Sequence, residues 1–307
     1  MKDVMNKIAG DSRKLRWKNY RGEVSFSINP APVLDLFRDA PLQDLQKNEE
    51  VEFIKAKRDK GSRVFRAFPD LGSGKEEVFI KTFSQKETWQ VMTERMRSTG
   101  PGKKNHHYPV KLAKLLYQPS LARRCWNMSR LCEQAGIPVA KPLFYLERRH
   151  KGFREEVLAV KGINPRKASD ARVHFMEFFT PPLAGDTLRK KREALQMLAL
   201  TVRKITRSSI MLPDLKLHNL VLQEIPGEKP RFVLVDLSEA YRVKGQYPEI
   251  TLLDRFSIHL LRLPCFTKTD LTRLMKTYLG EDRGEREWKN LCDDIYERAR
   301  KRERGKA

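Results

Sequence analysis

Three oxygen-bearing side chains stand at a spacing that could move a phosphoryl group. Asp214 and Asn219 lie five residues apart in Met211-Leu212-Pro213-Asp214-Leu215-Lys216-Leu217-His218-Asn219-Leu220-Val221-Leu222, and Asp236 closes the apolar run Phe232-Val233-Leu234-Val235. Phosphoryl transfer needs a carboxylate to orient the acceptor hydroxyl and take its proton, and oxygen ligands for a divalent cation that bridges the phosphates. Asp214 suits the first role and Asn219 with Asp236 the second, with Mg²⁺ as the cation and ATP as the donor. A strand after Asn219, a turn near Gly227 and a second strand ending at Asp236 would bring all three to one edge of a tight hairpin. Lys81, near the end of a segment in which Val78 and Ile80 alternate with polar neighbours, is placed to pair with the α- and β-phosphates. A lone strand-end lysine is ordinarily solvated, and Asp-Leu-x-x-x-Asn recurs by chance in loops. It is their joint occurrence in this order that points to a kinase-like site.

The rest of the chain supplies elements that could hold such a set. Val51–Lys57 and Arg63–Phe68 alternate as strands around the turn Asp59-Lys60-Gly61-Ser62, and a second Gly-rich turn over 70–75 leads into a third strand, Glu77–Phe83. Ser84–Pro119 is polar, basic and without a clean period, and reads as an insertion of short helix and loop. Ser120–Ala135 follows as a helix that Gly136 stops. Pro138–Leu146 and Val157–Ile163 read as strands, and His174–Phe179 as a short apolar strand running into the Pro181-Pro182 break. Thr187–Arg207 carries Leu188, Leu195, Leu198, Val202 and Ile205 at helical spacing, and at least two more helices follow. The predicted fold is α+β and two-lobed: an N-terminal extension over residues 1–50, an antiparallel-sheet lobe over 51–179 with the insertion at 84–119, and a mainly helical lobe over 180–307.

Bulk composition narrows the partners. The 62 Lys and Arg outnumber 39 Asp and Glu, for a formal charge of +23, and the excess is spread from Arg13 to Arg304. Anionic partners follow, among them nucleic acid, acidic lipid and phosphorylated glycolipid. No helix-turn-helix, RNP-type or zinc-finger pattern supports nucleic acid. The four cysteines form no C-x-x-C pair and are expected as reduced thiols, and His106-His107 lacks a third ligand at metal spacing. Neither a secretory signal nor a membrane span is legible, so any membrane is expected to be met from the cytoplasm by charge attraction.

Over roughly Val51–Leu279 the sequence resembles the lipopolysaccharide kinase family that includes Kdo kinases and core heptose kinases. Ala122-Arg123-Arg124-Cys125-Trp126 through Ala135-Gly136-Ile137-Pro138-Val139 is similar to the helix and exit segment that carry the lysine's glutamate partner in that family. Leu253–Leu263 and Asp270–Leu279 resemble its two late helices. The resemblance implies a protein-kinase-like fold with ATP bound between the lobes near 175–179, and Gly61 and Ser62 where protein kinases carry a phosphate-gripping loop. It also implies an acceptor sugar, Kdo or heptose, on the anionic lipid A-core, at the cytoplasmic face of an inner membrane. Four positions depart from the pattern. Cys125 stands where the helix usually has Glu, Leu212 where a His precedes the catalytic Asp, Ser238 where Gly follows the metal-binding Asp, and Gly61 alone represents the Gly-rich loop. These departures keep open a nucleotide-binding scaffold without activity, and the motif equally admits a phosphotransferase for another small molecule or a protein.

Overall fold

The computed structural model describes residues 12–25, 27–37, 45, 48–57, 61–72, 74–98, 113, 115–163, 168–180, 185–213, 215–225, 227–243, 249–280 and 285–304. By internal packing the chain divides into two units. The first comprises Met1–Arg130 with Lys141–Gly162, the second Leu131–Ala140 with Ile163–Ala307. The Pro181-Pro182 pair and His106-His107 lie outside the described residues.

The first unit is built on a seven-stranded sheet in the order β1-β2-β6-β7-β5-β4-β3, antiparallel throughout. Its strands are β1 (Ser12–Trp17), β2 (Tyr20–Ser25), β3 (Val51–Lys57), β4 (Ser62–Ala67), β5 (Val78–Ser84), β6 (Pro142–His150) and β7 (Phe153–Lys161). The three strands expected between Val51 and Phe83 are present. β1 and β2, however, lie inside the stretch read as an extension, and they widen the sheet, β2 pairing with β6 and β1 with β2. Because side chains alternate across a strand, Phe65, Ile80 and Ala159, which are in register across β4, β5 and β7, face one side together. That side forms the core with Val33 and Leu34 of helix α1 (Ala31–Asp35), and with Phe37 and Leu45 beyond it. Val33, Leu34, Phe37 and Leu45 are thus integral to the packing, and they complete a core that the strands alone would leave open to water.

The opposite side receives helix α3 (Leu121–Gln134), which follows helix α2 (Gln85–Ser98) of the insertion. Ala122, Cys125 and Trp126 of α3 form an apolar cluster with Phe83, Tyr145 and Leu158 of the sheet. Gly136 ends the helix in the left-handed region at φ +67°, and its N–H donates to Glu133 O at 3.0 Å.

The second unit contains α4 (Ala171–Phe178), α5 (Gly185–Arg207), α6 (Glu249–Leu261), α7 (Lys268–Leu279) and α8 (Glu285–Arg304). Its strands are short: β8 (Ala168–Asp170), β9 (Ile210–Met211), β10 (Leu220–Gln223), β11 (Arg231–Leu234) and β12 (Tyr241–Arg242). The expected strand at His174–Phe179 is instead helical through Phe178. Phe175 and Phe179, four residues apart, bring their rings to 5.3 Å, a neighbour relation that belongs to a helix and not to a strand. In α5, Leu195, Leu198, Val202 and Ile205 are buried at the expected helical spacing, and Tyr278 Oη of α7 donates to Thr206 Oγ1 at 2.8 Å.

One buried charge in the first unit leads to a pH prediction. Glu77, just before β5, is buried, neither carboxylate oxygen has a hydrogen-bond partner among the described residues, and Arg66 Nη1 stands 3.6 Å from Oε1. Burial pushes its pKa above the ordinary carboxylate value, with Arg66 pulling back. A carboxyl whose pKa is raised on folding binds its proton more tightly in the folded state, so stability falls as pH rises through the folded value. Glu77→Gln is therefore expected to raise Tm at neutral pH, and that gain should fade as pH falls through the raised folded value and be gone by about 4.3, the unfolded value. Thermal melts across pH check this; a lower Tm at pH 7 would mean that the pairing with Arg66 outweighs desolvation.

Candidate active site

Asn219 and Asp236 come together at the open end of the β10–β11 hairpin. Leu220 pairs with Leu234 in that hairpin, and one step beyond it Val235 N–H donates to Asn219 O at 3.0 Å. Asn219 closes a short 3₁₀ turn over Leu217–Asn219, its N–H donating to Lys216 O at 3.0 Å. Leu234 is held from its other side as well: its N–H donates to Pro138 O at 3.0 Å, and it accepts from Ala140 N–H at 2.8 Å. The segment after α3 thereby runs parallel to β11 at Val139 and Leu234. Backbone bonds on two sides fix the strand just before Asp236. Beyond it, Ser238 N–H donates to Asp236 Oδ1 at 3.1 Å, which turns the chain and orients the carboxylate.

Both side chains line one recess, together with Leu212, Pro213, Leu215, Leu234, Ser238, Glu239 and Ala240. Leu212, Leu215 and Leu217 are buried and anchor the loop, whereas His218 is exposed. Asp214, the expected base, lies outside the described residues. At its far end the same loop pair is tied by β9 and β12, with Tyr241 opposite Met211 and Arg242 opposite Ile210. The expected hairpin is thus present with pairings at both ends. An amide oxygen and a carboxylate are hard donors, as Mg²⁺ requires, and Mg²⁺ takes one or two protein carboxylates alongside substrate phosphates more often than a full protein cage. Among the described residues no group of three or more His, Cys, Asp or Glu could hold a metal ion. Glu239, exposed on the same recess, was not singled out from sequence; its position three residues after Asp236 was the available signal.

Lys81 sits in the first unit, half-buried in the middle of β5, opposite Val64 on one side and Leu158 on the other. Two residues away along the same face, Phe79 stands between Arg66 and Val160. The half-buried Val64, Phe79 and Val160 give the lysine an apolar surround on the sheet. Cys125, at the position of the usual glutamate, is 2 % exposed within the cluster of Phe83, Trp126, Tyr145 and Leu158. Apolar packing therefore docks this face of α3 on the sheet. Its N-terminus is held by polar contacts: Ser120 Oγ accepts from Arg123 N–H at 3.1 Å, and Glu156 Oε2 of β7 accepts from Ala122 N–H at 2.8 Å. Desolvation raises the Glu156 pKa, opposed by that backbone donor and by Arg154.

Gly61 and Ser62 are also buried in the first unit. Ser62 lies opposite Phe83, and Gly61 O accepts from Ser84 N–H at 2.7 Å. Gly61 adopts φ +52°, and a Cβ there would stand 2.2 Å from Ser84 O and 2.6 Å from Thr88 Oγ1. Close packing onto the start of α2 thus explains this glycine. Gly61→Ala combines left-handed strain with a clash against backbone, so a loss of about 2–4 kcal/mol is expected in urea denaturation. A variant as stable as the native chain would show that the turn relaxes freely.

The chain matches the model of the lipopolysaccharide kinase (Kdo/WaaP) family over residues 83–278. Among solved structures it is similar to one described as WaaP in complex with acyl carrier protein, with 17% identity, a TM-score of 0.58, and coverage of 88% of this chain and 96% of that one. A kinase domain of Mycobacterium tuberculosis PknI is also similar, at 12% identity and a TM-score of 0.41, covering 80% of this chain and 94% of that one. No curated protein sequence matches. The WaaP likeness shows a two-lobed protein-kinase-like fold. With a family match spanning more than half of its length, the chain belongs to the Kdo/WaaP lipopolysaccharide kinase family.

Proposed function

We propose that the chain transfers the γ-phosphoryl group of ATP to a sugar hydroxyl, on Kdo or heptose, of the lipopolysaccharide inner core at the cytoplasmic face of the membrane. The observation that carries this reading is the convergence of Asn219 and Asp236 on one recess beside the loop that bears residue 214. In this proposal Asp214 orients the acceptor hydroxyl and takes its proton as the oxygen attacks phosphorus. Asn219 and Asp236 hold Mg²⁺, which neutralises charge on the phosphates. Lys81 pairs with the α- and β-phosphates, and its apolar neighbours Val64, Phe79 and Val160 shield the nucleotide from water. The basic composition suits an acceptor that carries carboxylates and phosphates.

The test is transfer of labelled γ-phosphate from ATP to lipid A-core acceptors bearing Kdo or heptose, with Asp214→Ala and Asp236→Ala as controls. Transfer to one acceptor, lost in both variants, is expected. Nucleotide binding without transfer to any acceptor would favour the inactive-scaffold reading, which Cys125 in its apolar cluster motivates. Transfer to a soluble metabolite or a protein instead would overturn the glycolipid assignment. The related WaaP structure's complex with acyl carrier protein makes that protein the first macromolecular partner to test, by gel filtration of the mixture.

A further inference from the structure

Two hairpin tips lie side by side at one end of the first unit's sheet. β2 pairs with β6, Arg21 opposite Glu147, so the β1–β2 turn at Lys18-Asn19 sits next to the β6–β7 turn at Lys151-Gly152. Arg148 ties them, its Nη1 donating to Asn19 Oδ1 at 3.1 Å. Arg16, Lys18, Arg21, Arg149, His150 and Lys151 are all exposed there. Few acids offset them: Glu147 faces Arg21, and Glu155 is occupied by Arg148 at 2.6 Å.

Two details run against what folding alone would favour. Arg16 and Arg21 are directly opposite each other on β1 and β2, a like-charge pair that weakens a hairpin. At both tips a lysine holds the left-handed turn position, Lys18 at φ +51° and Lys151 at φ +49°, where Asn or Gly is the relaxed choice. Both strained lysines are exposed at their tips, Lys18 with its Nζ over the Trp17 ring at 4.8 Å from the centroid.

We propose that these paired tips are the surface by which the protein docks on an anionic lipid bilayer. The shape favours a bilayer over nucleic acid. Two convex turns can meet a plane together, whereas single-stranded nucleic acid is gripped by a groove with free aromatic platforms. Of the rings beside the tips, Trp17 is half-buried against Tyr20 and Phe37 at 5.8 and 6.0 Å, and Phe153 is half-buried against Trp89 at 6.1 Å. The inference takes from the proposed function only the reason for meeting a membrane, namely a lipid-borne acceptor.

The experiment is co-sedimentation of the full chain with vesicles of phosphatidylcholine alone or with about 30% phosphatidylglycerol, at about 0.15 M salt. The double variant Lys18→Asn, Lys151→Asn relieves strain while removing two charges, so it folds at least as well as the native chain. Each charge at an anionic surface is worth about fivefold in affinity, so the pair should lower binding to the anionic vesicles about 25-fold. Lys190→Gln with Lys204→Gln, exposed on α5, removes the same charge elsewhere and should stay within about twofold of native binding. Three results would overturn the proposal: equal losses in both double variants, no native binding to anionic vesicles, or unchanged vesicle affinity in the tip variant with loss of poly-uridylate binding. Turnover on a soluble, deacylated core acceptor should be the same with and without the tip lysines. Failure of that turnover in the native chain counts against the proposed reaction and leaves the vesicle result to stand by itself.

Discussion

Asp236→Ala is expected to lower phosphoryl transfer by roughly a thousandfold or more, since a bound divalent cation contributes several kcal/mol to charge stabilisation in the transition state. The protein should nevertheless remain folded. The main chain before residue 236 is held by Leu234, bonded to Pro138 and Ala140 on one side and paired with Leu220 on the other, and none of these bonds uses the Asp236 side chain. The substitution does remove the bond from Ser238 N–H, of the order of 0.5–1.5 kcal/mol. Single-turnover kinetics with labelled ATP, set beside a urea melt, separates the two effects. A variant that loses activity and stability together would show that the carboxylate organises the loop, and one that keeps its activity would remove Asp236 from the metal site. Asn219→Ala makes a useful companion, because both of its recorded backbone bonds also survive the change.

Lys191→Met is expected to have the largest effect on stability. Lys191 of α5 and Asp270 of α7 are each about 4% exposed and lie 2.7 Å apart, and Lys191 Nζ also donates to Cys265 O. Asp270 completes a capping box as well: Thr267 Oγ1 accepts from Asp270 N–H, and Asp270 Oδ2 accepts from Thr267 N–H at 3.0 Å. Removing the ammonium leaves Cys265 O without that donor and the buried carboxylate with Thr267 and only Arg273, 3.6 Å from Oδ1, as a charge partner, which costs about 3–5 kcal/mol. The double change Lys191→Met, Asp270→Asn should recover part of that loss, because the amide oxygen still caps α7 while no charge stays buried. Urea denaturation of the two variants provides the check. A loss below about 1 kcal/mol in Lys191→Met would mean that water reaches the pair.

Those parts of the site that depend on local chain geometry were readable from sequence. The spacing between Asn219 and Asp236 spans one hairpin, and a turn residue at Gly227, here at φ +82°, was enough to suggest it. The element at His174–Phe179 misled because a short run of apolar and aromatic residues has no period to measure; burial of Phe175 in the helix and of Phe179 just past its end came from tertiary packing. β1 and β2 were hidden for another reason. Their exposed positions carry Arg13, Lys14 and Arg16, so the strands looked like a basic leader, and the buried Val24 and Tyr20 were too few to stand out. Glu156 gave no signal either, since a carboxylate on β7 that caps α3 becomes visible only once strand and helix are packed together. Cys125 was legible as a departure. What surrounds that position, an apolar face closed by Trp126 and Tyr145 at 5.7 Å, needed the structure.

The four buried cysteines also make the protein its own reporter of motion. Burial pushes the thiol of Cys132 up to about 12 and that of Cys292 to about 11, so at neutral pH neither is an effective nucleophile while the native packing is intact. Alkylation must then wait for a local opening. Cys125 and Cys132 sit on α3 and Cys292 on α8, so labelling rates resolved by mass spectrometry would time the loosening of each helix separately. A nucleotide that slowed labelling at Cys125 but not at Cys292 would thus disclose which part of the chain its binding stills.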